Sequence, residues 1–116
     1  MVPLLLVSFG TFNIRGLGDE VKKSQLDLDC SRYKMDIICL QETKVTEAYE
    51  HIFSSGNKLI VCDQFTGWQR GIGFMVSKRM LPCITATHQV SNNVAYIDVA
   101  LPSKNGHQTK CRIVNV

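Results

Sequence analysis

The chain has 116 residues, 45% of them hydrophobic and 20% charged, with a net charge of +3. That is enough for one compact domain with an ordinary core, and it leaves no room for a second. The charge is mild and no Lys/Arg block stands out, so composition permits a nucleic-acid partner without arguing for one.

Five cysteines stand singly at 30, 39, 62, 83 and 111. None is at C-x-x-C spacing, and the odd count argues against a disulfide framework. They imply free thiols and a reducing compartment, the nucleus or cytoplasm. The apolar start, Val2 to Val7, lacks a basic flank and is far too short to span a membrane, so a buried strand is expected there and no membrane partner.

In chain order, Leu4 to Ile14 reads as a strand ending at the turn Arg15-Gly16-Leu17-Gly18. Asp19 is a helix N-cap. Leu26, Cys30 and Tyr33 give the apolar stripe of a helix ending near Met35. Ile37-Ile38-Cys39-Leu40 suits a strand buried on both faces. The order is a βαβ-like unit. A second short helix is predicted from Thr46 to Phe53, ended by Ser54-Ser55-Gly56-Asn57. Strands follow at Leu59–Cys62, Gly73–Val76, Ile84–Thr87, Val94–Leu101 and Cys111–Val116. Ala95, Ile97, Val99 and Leu101 share one face. Ser103 to Gly106 returns the chain as a hairpin, so the back half is expected to be largely antiparallel.

Two residues sit where chemistry concentrates. Asn13 closes the first strand and Glu42 the strand after the helix. If those strands are parallel neighbours, both side chains stand at the carboxyl-end edge, where ligands of open α/β sheets bind. An amide oxygen and a carboxylate are hard ligands, suited to Mg2+ or Mn2+. The competing readings are a turn-forming Asn and a Glu returning to solvent. Trp68-Gln69-Arg70 reads as a loop in which an aromatic beside an Arg fits base stacking and phosphate pairing, or simply a half-buried Trp.

The blocks around these residues carry more. Gly10-Thr11-Phe12-Asn13-Ile14-Arg15-Gly16-Leu17 resembles "T-W-N-[VI]-R-G-[LM]", and Asp36-Ile37-Ile38-Cys39-Leu40-Gln41-Glu42-Thr43-Lys44 resembles "D-I-[ILV]-x-[LI]-Q-E-T-[KH]". Gly71 to Arg79 is similar to "G-[VI]-[GA]-[FIL]-[LMI]-[VI]-S-[KR]", and Arg112 to Val116 to the strand before "N-x-Y-x-P". These are motifs of the endonuclease/exonuclease/phosphatase superfamily, in the family's order. The wording is closest to endonuclease domains of non-LTR (LINE-type) retrotransposons, relatives of apurinic/apyrimidinic endonucleases.

The resemblance implies an α/β fold: residues 1–116 as the N-terminal part of a two-sheet, DNase I-like sandwich, with a mixed sheet and helices outside. It implies Mg2+-dependent DNA phosphodiester hydrolysis. Glu42 matches the metal-binding glutamate, and Asn13 the asparagine that supports the metal-and-phosphate cluster. Arg15 stands where repair endonucleases of the family often carry Asp; a cation there cannot bind the metal and is expected near DNA phosphate or packed aside. Lys44 and Arg70 are further candidates for substrate phosphate, and Gln41 is expected to bond neighbouring backbone. The family's tyrosine, Asp-x-Asn pair and terminal Asp-His pair are not found, and His51, His88 and His107 lack a Ser-Asp-His context. The expectation is a truncated domain, inactive alone, with an open sheet edge prone to self-association. A non-catalytic interaction module and an inositol-phosphate or lipid phosphodiesterase are the rival expectations.

Overall fold

The computed structural model describes residues 6–63, 70–102 and 106–116. It is a mixed α/β domain of two sheets and one helix. The elements are β1 (Phe9–Asn13), α1 (Glu20–Arg32), β2 (Ile37–Gln41), β3 (Tyr49–Ile52), β4 (Lys58–Val61), β5 (Ile72–Val76), a 3-10 turn (Leu81–Cys83), β6 (Ile84–Ser91), β7 (Val94–Pro102) and β8 (Gln108–Asn115). One sheet has the order β1-β2-β5-β4-β3, the other β6-β7-β8. Only β1 and β2 run parallel, joined by α1, and every other pairing is antiparallel. The described helix is too short to cross a membrane.

Strand alternation builds two cores from one sheet. Ile37, Cys39, Phe74 and Val76 face the second sheet and meet Ala95, Ile97 and Val99 of β7. Ile38, Leu40, Leu59, Val61 and Met75 face the helix and meet Leu26 and Cys30. β2 and β5 are therefore apolar at nearly every position, as strands covered on both faces must be. Gly73 lies where β5 passes β4 so closely that a Cβ would stand 2.6 Å from the Ile60 carbonyl oxygen.

Asp19 caps α1, its carboxylate accepting from the Val21 N–H at 2.8 Å. The helix stops at Arg32, and Tyr33 is its cap, 66% exposed rather than on the buried stripe. The Met35 N–H bonds the Cys30 carbonyl and the Lys34 N–H bonds that of Ser31, a Schellman closure. Lys34 occupies the left-handed position of that motif at φ 52, where glycine carries no Cβ penalty. Lys34→Gly is expected to stabilise the fold by about 1 kcal/mol, raising Tm by a few degrees in a calorimetric scan.

Three expectations are corrected. Regular strand begins at Phe9 and Leu6 is 74% exposed, so Val2 to Val7 is not a buried strand in its described part; Leu4 and Leu5 lie outside the described residues. Thr46 to Phe53 is not a helix: Tyr49 to Ile52 form β3 and pair with Lys58 to Val61 across the Phe53–Asn57 turn. The helical spacing of Ala48, Ile52 and Phe53 loses to that backbone pairing, and Ile52 points to solvent. β6 is twice the expected length and carries two register shifts, reaching Ser91. Of the hairpin turn, Ser103 to Asn105 lie outside the described residues, but β7 and β8 pair antiparallel as expected. The five cysteines are free, and burial pushes the Cys30 and Cys62 thiols up to about 11.

Asn115 locks the sheets together. It is 1% exposed, and its amide donates to the Leu40 carbonyl at 3.0 Å and the Gly73 carbonyl at 2.8 Å. Its Oδ1 accepts from Gln41 at 2.9 Å. Asn115→Ala removes these three hydrogen bonds from a buried position and is expected to cost about 2 kcal/mol, read from a urea midpoint at unchanged slope.

Candidate metal and phosphate site

Parallel pairing of β1 with β2 sets Asn13 beside Gln41 in register, and Glu42 follows directly. The two candidate ligands therefore meet. The Asn13 amide Nδ2 donates to Glu42 Oε2. Asn13 Oδ1 accepts from the Arg15 N–H at 3.2 Å. Asn13 is thus held at both ends of its amide, and it fixes one oxygen of a half-buried carboxylate whose other oxygen has no protein partner among the described residues.

Two loops continue the pairing past the strand ends. Ile14, Gly16 and Leu17 donate their N–H groups to the carbonyls of Gln41, Glu42 and Thr43. Thr43 and Lys44 donate to Gly71 and Arg70. This ties three segments together: the one after β1, the one after β2 and the one before β5. Arg15, Glu42 and Lys44 all have φ near +55°. For non-glycine residues that conformation costs roughly 1–2 kcal/mol each, and such outliers cluster at functional sites. Beneath them the Thr43 side chain is fully buried, its hydroxyl without a partner among the described residues.

The charges follow from this backbone. Arg15, Lys44 and Arg70 are exposed, on the three segments that this backbone pairing brings together beside Glu42. The Lys44–Arg70 backbone bond of 2.8 Å places those two residues side by side. Lys22 reaches back from α1 to the carbonyls of Arg15 and Gly16, 3.0 Å each, adding a further cation at the loop. Four cationic residues thus lie on the segments that carry one carboxylate.

A cleft of ≈ 340 Å³ opens beside Glu42, lined by Arg70, Gly71, Ile72 and Gln41 from the first sheet and by Asn93 and Val116 from the second. Asn93 and Asn115 carry no sequence signal of a role here; only the packing of β8 and the β6–β7 turn over β2 brings them near. Gln41 bonds the Cys39 carbonyl as expected, and also the side chains of Thr11 and Asn115. Trp68 and Gln69 lie outside the described residues. His51 packs on Phe53 and His88 on Tyr96, on strands away from Glu42.

The donor set fits a hard divalent cation only in part. Among the described residues no three His, Cys, Asp or Glu side chains converge. Magnesium needs only one or two carboxylates, with water and phosphate filling the remaining positions. Glu42 would hold it, and Asn13 would orient Glu42. No protein-family model and no curated protein sequence matches the chain.

Proposed function

We propose that this chain is the metal- and phosphate-binding portion of a Mg2+-dependent DNA endonuclease, built on a DNase I-like two-sheet sandwich and related to LINE-type retrotransposon endonucleases. The observation that carries the reading is the Asn13–Glu42 side-chain contact at the carboxyl end of two parallel strands, with Arg15, Lys44 and Arg70 on the loops tied to that end. Mn2+ would occupy the same oxygen donors.

A bound divalent cation supplies polarisation of a phosphoryl oxygen and stabilises charge on the leaving oxygen. The protein's own part is to place the phosphate. Lys44 and Arg70 are joined by a backbone hydrogen bond on the loops beside Glu42, and the Arg15 N–H is held by the Asn13 amide. Phosphate contacts of this kind fix position without reading sequence. No histidine and no carboxylate besides Glu42 lines the cleft among the described residues. A general base is therefore lacking there, and turnover by this chain alone is expected to be slow or nil. That shortage also favours a second reading, a phosphate-binding module without catalysis.

Nicking of supercoiled plasmid with Mg2+ tests the first reading. The expected result is trace nicking, lost in Glu42→Gln. Fast nicking that survives Glu42→Gln would overturn it. DNA binding in Mg2+ that falls steeply with salt but never proceeds to nicking would favour the module.

A further inference from the structure

Among the described residues the two sheets present four unpaired strand edges, and three of them carry features that discourage pairing. β3 is four residues long and carries Glu50, ion-paired to Lys58 at 3.3 Å. β6 is interrupted by two register shifts. β8 carries Lys110 and Arg112, the latter paired to Asp98 at 2.7 Å. Short length, bulges and charge are the usual protections of an edge. β1, five residues long, has neither charge nor bulge: its sequence is Phe-Gly-Thr-Phe-Asn, and Phe9 and Phe12 are 47% and 51% exposed.

The packing leaves β1 outermost on its side. Asn115 seats β8 over β2 and β5, so β1 extends beyond β8. A strand approaching β8 meets that overhang, whereas one approaching β1 meets no further strand among the described residues.

The backbone fixes a register. The Ser8 carbonyl accepts from Asp36 and Ile37, and the Ile14 N–H donates to Gln41. Even-numbered residues thus turn their backbone groups toward β2, and Phe9, Thr11 and Asn13 turn theirs outward. We propose that β1 is a self-association edge, two copies of this chain pairing β1 antiparallel across a two-fold axis through Thr11. Phe9 then bonds Asn13 of the second copy and Thr11 bonds Thr11, so all outward groups are used. Gly10 falls opposite Phe12 of the second copy on the helix-side face. The Met35 terminal methyl lies over Gly10, 2.6 Å from where a Cβ would be. The incoming Phe12 ring covers that bare position and meets Met35, an aromatic–methionine contact. The closed two-fold uses each exposed Phe once and leaves no further β1 edge. An interface of five residues a side is small, so a weak, concentration-dependent dimer is expected. Each chain carries +3, and salt should strengthen association by screening that repulsion.

Sedimentation equilibrium over a concentration series tests this, with hydrogen exchange on the same samples. The weight-average mass should rise from one chain toward two, more so in high salt. Amide protection should rise with concentration at Phe9, Thr11 and Asn13 and stay level at Gly10 and Phe12. Thr11→Lys sets two cations against each other at the axis and should hold the chain monomeric with an unchanged circular-dichroism spectrum. Phe12→Lys should do the same, and it decides alone if Thr11→Lys does not fold, since Thr11 also bonds Gln41. Val114→Lys on β8 should still associate. A monomer throughout, association that survives in the folded β1 variants, or association abolished by Val114→Lys would each overturn the proposal.

Discussion

Glu42→Gln is expected to abolish binding of Mn2+ at the β1–β2 edge while leaving the fold in place. The substitution keeps the shape and the hydrogen bond from Asn13 but removes the only carboxylate among the described residues that line the cleft. Paramagnetic broadening of amide signals by Mn2+ reads this directly. It should fade residues 13–16 and 42–44 in the wild type and none of them in the variant. Asn13→Ala should weaken the same broadening by roughly 10- to 100-fold, the usual cost of losing a group that orients a metal ligand. Stability supplies an independent readout. Glu42 is held at φ 55, so Glu42→Gly relieves backbone strain and should raise stability by about 1 kcal/mol even as it loses the metal. Broadening at these residues that persists in Glu42→Gln would sink the site.

The meeting of Asn13 and Glu42 was legible because it needs only local information. A strand, a helix and a strand in that order give a parallel pair, and a residue closing each strand must lie at one edge. The inward face of β7 was legible for the same reason: alternation assigned Ala95, Ile97 and Val99 to the core, where they are 0–1% exposed. What escaped depends on partners distant in sequence. β3 has a helix-like spacing, and only its pairing with β4 makes it a strand. Asn115 is buried by carbonyls up to 75 residues away. The left-handed conformations of Arg15, Glu42 and Lys44 left no trace either, because glycine, their usual signal, is absent from those positions. Lys78-Arg79 reads as a solvated strand end, yet Arg79 is the partner of a buried acid 43 residues earlier.

That acid governs the largest structural effect expected. Asp36 is 1% exposed at the end of β2 opposite Glu42. Arg79 clasps its two oxygens at 2.7 Å each, the Ser8 N–H adds a bond at 2.9 Å, and the Ser77 hydroxyl another at 2.9 Å. Arg79 also donates to the Leu6 carbonyl, so one guanidinium ties together the start of β1, the start of β2 and the end of β5. Burial alone would push the Asp36 carboxyl up, but Arg79, Ser8 and Ser77 together outweigh it and hold the group below the usual carboxylate range. A folded-state pKa below the unfolded one contributes stability above the unfolded value and loses it as pH falls through the folded value. Arg79→Ala leaves the carboxylate buried with two neutral donors. The expected loss near pH 7 is about 3 kcal/mol, at the low end for a broken buried pair because half of the Arg79 side chain reaches solvent. Acidification should close the gap between variant and wild type, since below both pKa values Asp36 is neutral in each and has no charge to leave unpaired. Urea unfolding of both proteins from pH 7 to pH 3 measures this. A difference that stays constant across that range would show that Arg79 stabilises by packing alone, and the ion pair would lose its place as the clasp of the domain.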